Sequence, residues 1–265
     1  MNENLEFRAS SGGTSRPKLK RIELKFRLNH SIAKDVRAWA RDHLGVDECC
    51  RDDDTYRINS LYLDTPDRDM FYRTGKVGRT KHRLRRYGNE STLWLETKRK
   101  KKRVVQKSRT AVFDHDFMPT RIGTMDATWC GDWFINRIIE RQMQPAVQVA
   151  YRRFARTCFA DGHRLRLTID DAMCARRPLG WQVFGESECQ RQRGLQFGQH
   201  EVLELKFDKA MPPLFKELLR TFELPATSFS KYRTAVSKLM DEASASISVS
   251  EREPSSCRYA NVRVA

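Results

Sequence analysis

Residues 79–87 read RTKHRLRRY, and their odd positions are Arg79, Lys81, Arg83, Arg85 and Tyr87. A β-strand sends alternate side chains to opposite faces, so an extended segment here puts four cations on one side. Like charges at that density repel, and an ordinary strand surface interleaves the signs. The same alternation recurs along the chain. Arg21, Glu23, Lys25 and Arg27 alternate with Ile22, Leu24, Phe26 and Leu28, and further strands are predicted at 56–64, 92–99, 103–112, 146–158, 163–170 and 201–207, with a weaker one at 180–188. Shared faces then carry Glu96 with Lys98, Lys107 with Arg109, Tyr151 with Arg153, Arg164 with Arg166, and Glu204 with Lys206. Any one of these faces, alone, reads as a solvated surface. Repeated over neighbouring strands they have a joint solution: antiparallel strands that close with their apolar faces outward collect the charges in one lumen, which needs a polyanion inside it.

Helical periodicity appears at 30–44, 66–74, 130–143, 211–222 and 229–242, with His30 or Ser31 as the cap of the first segment and Gly45 as its stop. Ile32, Val36, Trp39 and Ala40 fall at helical spacing and suit core packing. These segments do not alternate regularly with the strands, so a parallel sheet is excluded. The expected fold is α+β, a closed antiparallel β-barrel tunnel of about eight strands with helices packed outside. Ser, Gly and Asn without periodicity mark 1–18 and 244–265 as disordered tails, leaving one domain over 19–243.

Composition sharpens the choice of partner. The chain has 50 Lys and Arg against 34 Asp and Glu, a formal charge of +16, while 39% hydrophobic residues suffice for one core and exclude global disorder. Such a surplus points to nucleic acid, nucleotides, inorganic phosphate chains or an anionic membrane. Neither GxxxxGK[ST] nor GxGxxG occurs, so bound phosphate would be held by side chains. The seven cysteines are scattered without a C-x-x-C pair and the six histidines without HExxH, which supports neither a disulfide framework nor a zinc site. No segment approaches the roughly 18 apolar residues of a membrane span, and the N-terminus lacks a secretory apolar region. A soluble cytoplasmic protein is expected, for which coupled export would need a separate membrane partner.

Three strands carry Glu-x-Lys on one face: Glu23 with Lys25, Glu96 with Lys98, and Glu204 with Lys206. A carboxylate repels phosphate. It belongs on such a face either as the partner of its lysine or as a ligand of a divalent metal that bridges to phosphate oxygens. For Glu23 and Glu96 both readings stand.

Seven motifs in order, RIELKF (21–26), INSLYLDT (58–65), KHRLRRYG (81–88), LWLETKRK (93–100), RLRLTID (164–170), VLELKF (202–207) and FSKYRTAV (229–236), resemble the polyphosphate-polymerase domain of the vacuolar transporter chaperone (VTC) family. The resemblance runs from about residue 20 to 240. It implies membership of the triphosphate tunnel metalloenzymes, a CYTH-like superfamily, and transfer of the γ-phosphoryl of ATP to a growing inorganic polyphosphate chain with Mn²⁺ or Mg²⁺. It further implies that Lys25, Arg83, Arg85, Lys98, Arg153 and Arg166 act on the triphosphate, that Lys107 and Lys231 contact substrate, and that Glu204 binds the metal. Lys81, Arg109 and Lys206 join the substrate contacts by their shared faces, and Glu23 is a second candidate metal ligand. Two departures from the family pattern are visible. Ser228 stands where a KFSK-type segment has its first lysine, and Arg21 stands where the hydrolytic ExExK signature has a glutamate. ATP and inorganic polyphosphate are the expected partners, with no specific nucleic acid. The alternatives are a metal-dependent triphosphatase on the same fold and a non-catalytic module that binds polyphosphate or nucleic acid.

Overall fold

The computed structural model describes residues 21–250 apart from 51–52, 76, 102–103, 118–128, 161, 186–187 and 190–192. The strands are β1 (Arg21–Leu28), β2 (Gly45–Val46), β3 (Thr55–Asp64), β4 (Thr80–Tyr87), β5 (Thr92–Lys101), β6 (Val104–Phe113), β7 (Gln144–Ala160), β8 (His163–Arg176), β9 (Leu195–Gln196) and β10 (Glu201–Asp208). The helices are α1 (His30–His43), α2 (Asp69–Tyr72), α3 (Asp132–Glu140), α4 (Pro213–Thr221) and α5 (Lys231–Ser250). One antiparallel sheet holds all ten strands in the order β1-β10-β8-β7-β3-β4-β5-β6, with β2 added to β7 and β9 to β8.

Alternation builds the layers. On β1, β8 and β10 the apolar side chains Phe26, Leu28, Leu167, Ile169, Leu203 and Leu205 turn outward and are buried under Ala33, Val36 and Ala40 of α1 and Phe215 and Leu218 of α4. On β3, β4 and β5 the residues Leu61, Leu63, Leu84, Leu93 and Leu95 do the same against Phe134, Ile135 and Ile138 of α3. Each such fully buried side chain contributes about 1.5–3 kcal/mol. The opposite face of β1, β4, β5, β8 and β10 is left with the charged residues, while that of β3 carries Ile58, Ser60 and Tyr62.

That charged face is concave. β1 and β5 lie six strand steps apart along the sheet, about 29 Å if the sheet were flat at roughly 4.8 Å per strand. Yet Lys98 Nζ on β5 reaches Glu23 Oε2 on β1 at 2.7 Å, so the sheet curls until its two ends meet through side chains. The expectation of a closed barrel is not met. Backbone pairing among the described residues ends at β1 on one side and β6 on the other. The outer edge of β1 is engaged elsewhere: Lys25 O accepts from Thr227 N at 2.8 Å. The segment that follows carries Ser230, whose Oγ accepts from Lys81 Nζ on β4 at 3.3 Å. A strap leading into α5 thus spans from β1 to β4.

Several local expectations are corrected. Asn29 caps α1, its Oδ1 accepting from Ile32 N at 2.8 Å, because Asn29 holds extended backbone while His30 and Ser31 are already helical. The segment expected to be helical over 66–74 is cut to four residues by left-handed backbone at Arg68 (φ 57°) and Arg73 (φ 66°). No strand forms among the described residues of 180–188. Arg79 is exposed in a turn before β4, so three cations and not four share that strand's inner face. β8 runs past the expected end at 170 because of a bulge, where Ala172 adopts φ 47° and the pairing with β7 shifts between Ala150 and Arg152. A bulge breaks alternation, which erases the sequence signal there. α5 continues to Ser250, into the segment 244–265 expected as a tail, while the expected tail 1–18 and the remainder of that segment, 251–265, lie outside the described residues.

The capping geometry gives a direct test. Asn29→Ala should lower the unfolding free energy by about 1 kcal/mol in urea melts, whereas Ser31→Ala should change it by less than about 0.5 kcal/mol.

Candidate functional site

The inner face is organised by cross-strand pairs. Register sets Glu96 on β5 directly opposite Arg83 on β4 and Arg109 on β6, Lys25 on β1 opposite Glu204 on β10, and Arg153 on β7 opposite Asp170 on β8. Each carboxylate therefore meets its cation as a consequence of strand pairing alone.

Around Glu96, Arg83 donates from Nε at 2.8 Å and approaches with Nη2 at 2.7 Å, while Lys107 Nζ lies at 2.8 Å, Arg109 Nε at 3.3 Å and Arg85 Nη1 at 3.8 Å. The carboxylate is 1% exposed. Burial alone would raise its pKa, but Arg83, Arg85 and Lys107 override that and hold it well below the usual carboxylate range. Of its two open readings, the counter-ion fits, since both oxygens face cations. Arg85 is fixed further by Ser60 Oγ at 3.1 Å and the Tyr151 hydroxyl at 3.2 Å.

A second group forms at the seam between the sheet's ends. Lys25 Nζ lies 3.5 Å from Glu23 and 3.3 Å from Glu204, Lys206 pairs with Glu204 at 2.5 Å, and Lys98 with Glu23 at 2.7 Å. Burial opposes ionisation of Glu204, yet Lys206 and Lys25 hold its carboxyl far below the ordinary value. Burial lowers Lys206, outweighing the pull of Glu204. In a third group, Asp170 accepts two bonds from Arg153 at 2.6 and 2.8 Å and one from Lys231 at 2.5 Å. Arg166 lies to the side, bound to Asp47 at 2.9 Å and donating to the Tyr56 hydroxyl at 2.9 Å.

All thirteen residues singled out from the sequence sit on this face or on the helix that abuts it. Counted together, Lys25, Lys81, Arg83, Arg85, Lys98, Lys107, Arg109, Arg153, Arg166, Lys206 and Lys231 are eleven cations against the five carboxylates Glu23, Asp47, Glu96, Asp170 and Glu204. The face carries a large uncompensated positive charge. Sequence reasoning passed over Asp170, Asp47, Tyr62, Ser60 and Ser230. Asp170 shares its strand face with Arg166, a signal that was available. Asp47 lies between short elements, where no periodicity exists.

The profile of the VTC domain matches residues 20–240. The chain belongs to the VTC domain family. No curated protein matches it significantly in sequence. Among solved structures it is similar to a candidate adenylyl cyclase from Hippeastrum described as having a dominant triphosphatase activity, at 14% identity over 82% of this chain and 96% of that one, TM-score 0.49. It is also similar to a candidate adenylate cyclase from Bacillus halodurans, at 13% identity over 80% and 96%, TM-score 0.47.

The donor set of this VTC domain bears on the divalent metal implied for tunnel metalloenzymes. Among the described residues no three His, Cys, Asp or Glu side chains gather as a metal site. Glu23 and Glu204 do share Lys25 as a neighbour. Each is already paired with a lysine, Glu23 with Lys98 and Glu204 with Lys206, so a hard cation held by these two carboxylates would take the place of Lys25 between them and its remaining ligands from phosphate oxygens and water, as Mg²⁺ commonly does.

Buried counter-ions predict a stability profile. Burial opposes ionisation of Asp170, but Arg153 and Lys231 hold its carboxyl below the ordinary value. Its contribution is therefore complete above the unfolded-state value near pH 4 and lost as pH falls further. Asp170→Asn, which strands two buried cations, should lower the unfolding free energy by about 3–5 kcal/mol at neutral pH. It should also flatten the loss of stability below about pH 4 in acid titrations.

Proposed function

We propose that this VTC domain is a polyphosphate polymerase: it transfers the γ-phosphoryl of ATP to the end of an inorganic polyphosphate chain on the concave face. The bond between the β- and γ-phosphates breaks, a new phosphoanhydride forms at the chain end, and ADP leaves. The single observation that carries this reading is the surplus of cations over carboxylates on one curled face, without a glycine-rich phosphate loop in the sequence. Phosphoryl transfer asks mainly for alignment and charge neutralisation.

Residue chemistry supports a division of labour. Arg83, Arg85, Arg153 and Arg166 present planar forks suited to bidentate phosphate contacts, and each is already held by a carboxylate, hydroxyl or both. Donors fixed in this way need little reorganisation as charge shifts in the transition state. Lys25, Lys81, Lys98, Lys107, Lys206 and Lys231, with Arg109, are adaptable charges along which a uniform chain can slide. Glu204, with Glu23 beside it, would hold Mn²⁺ or Mg²⁺, which when bound neutralises phosphate oxygens. Among the described residues no helix is long and apolar enough to cross a membrane.

A second reading, a metal-dependent triphosphatase on the same face, is favoured by Glu23 lying next to Glu204. Arg21 in place of a third carboxylate argues against the full hydrolytic set. Incubation with ATP and Mn²⁺ separates the readings: long polymer supports the polymerase, free phosphate alone the hydrolase, and neither product a binding module. Arg83→Ala should lower turnover by about 10²-fold or more, as removal of one preorganised donor does. Glu204→Gln should abolish metal-dependent turnover while ATP still binds, because removing a negative charge does not weaken attraction between the cleft and phosphate. An unchanged maximal rate and metal midpoint in Glu204→Gln would remove that residue from the site.

A further inference from the structure

One lysine and one tyrosine differ from the other polar groups of the face. Lys25, Lys98, Lys107, Lys206 and Lys231 each touch a carboxylate. Lys81, on the inner face of β4, instead donates to Ser230 Oγ at 3.3 Å, and among the described residues no carboxylate lies within ion-pair reach of it. Tyr62 stands directly opposite Arg83 in the β3–β4 register and is 2% exposed. Its hydroxyl accepts from Arg83 Nη1 at 3.2 Å, and its ring lies 5.4 Å from that of Tyr232 on α5.

The surroundings of this pair are mostly cationic, with Asp170 paired to Lys231, Glu23 to Lys98, and Asp64 accepting from the Tyr232 hydroxyl. β4 supplies Arg83 and Arg85 and α5 supplies Lys231; β1 and β5 add Lys25 and Lys98 near Lys81. Tyr151 of β7 is reached through Arg85, and Glu96 of β5 through Arg83. Burial would raise the Tyr62 phenol, but Arg83, Lys81, Arg85 and Lys231 bring it down to about 7. Burial, together with Lys25, Arg83 and Lys98, brings Lys81 down to about 8, against the opposing pull of Tyr62. Arginines remain charged throughout this range, so the charge of the face can change at its lysines and tyrosines, and among these Tyr62 and Lys81 are the two brought to about 7 and about 8.

We propose that Tyr62 and Lys81 are a proton-accepting pair of the phosphate-binding face, taking up about one proton from solvent when a phosphate chain binds. The proposal rests on the reading of that face as a phosphate-chain site. A bound chain neutralises the cations that keep the phenol acidic and that repel a proton from the amine, so phenolate becomes phenol and amine becomes ammonium more readily. A ligand that raises a group's pKa binds more tightly where the group is protonated. Affinity should therefore fall as pH rises from about 7 to about 9, by up to tenfold per unit for one proton. The pair lets the face match the charge of its occupant without moving a strand.

Inorganic tripolyphosphate is the probe. Calorimetric titrations in two buffers of different ionisation enthalpy give the proton uptake of the wild type, Tyr62→Phe and Lys81→Met near pH 7.5, and the ligand's own ionisation is common to all three. The expected uptake is about one proton in the wild type and about half that or less in each variant. In parallel, the near-ultraviolet phenolate band of the ligand-free protein should show one tyrosine titrating near neutral pH, absent in Tyr62→Phe and moved upward by tripolyphosphate. Equal uptake in all three proteins, or no phenolate below about pH 9, overturns the pair and leaves the phosphate-chain reading standing. Failure of the wild type to bind tripolyphosphate overturns both. If Tyr62→Phe does not fold, Lys81→Met and the wild-type phenolate titration still decide.

Discussion

Glu96 is the interaction on which the inner face depends. It sits between Arg83 on one neighbouring strand and Arg109 on the other, and Lys107 and Arg85 close around it. Without a buried anion there, strands β4, β5 and β6 would bring several cations together in a low-dielectric space. Coulomb repulsion at those separations, several kcal/mol even at an effective dielectric near 20, would oppose the pairing that forms the sheet. With it, the same cations become fixed donors. Asp170 does for Arg153 and Lys231 what Glu96 does for its group.

These counter-ions also specify register. A slip of one residue would turn Glu96 away from Arg83, Arg109, Lys107 and Arg85 and place it under α3 among Leu93 and Leu95, where Arg137, already donating to Thr97 Oγ1 at 3.0 Å, is the cation at hand. Buried ion pairs add little net stability compared with apolar packing, so their structural value here lies in selecting one alignment among those the alternating pattern would tolerate. The apolar outer faces under α1, α3 and α4 supply the stabilisation; the inner pairs select the arrangement.

Surplus charge is the other half of the design. Carboxylates are enough to organise the cations and too few to neutralise them, so the face remains attractive to polyanions while its geometry is set beforehand. The strap that donates Thr227 N to β1 and presents Ser230 to Lys81 ties the curled ends of the sheet together without a ladder of backbone bonds.

Much of this was written in local pattern. The alternation at 21–28, 79–87 and 201–207 placed Lys25, Arg83, Arg85, Glu204 and Lys206 on one side of their strands, since side-chain direction in a strand depends only on the parity of position. The motifs from RIELKF to FSKYRTAV carried the family. What local pattern could not contain is which charge meets which: that Lys98 reaches Glu23 across the curled ends of the sheet, that Glu96 serves four cations, and that Asp47, from a stretch without periodicity, anchors Arg166. Nor could it show that the sheet, among the described residues, stops short of closing, or that Ala172 lies in a bulge. Parity is a property of one strand and is legible in its residues, whereas contacts between distant strands depend on twist, register and curl, which arise only when the whole sheet packs against its helices.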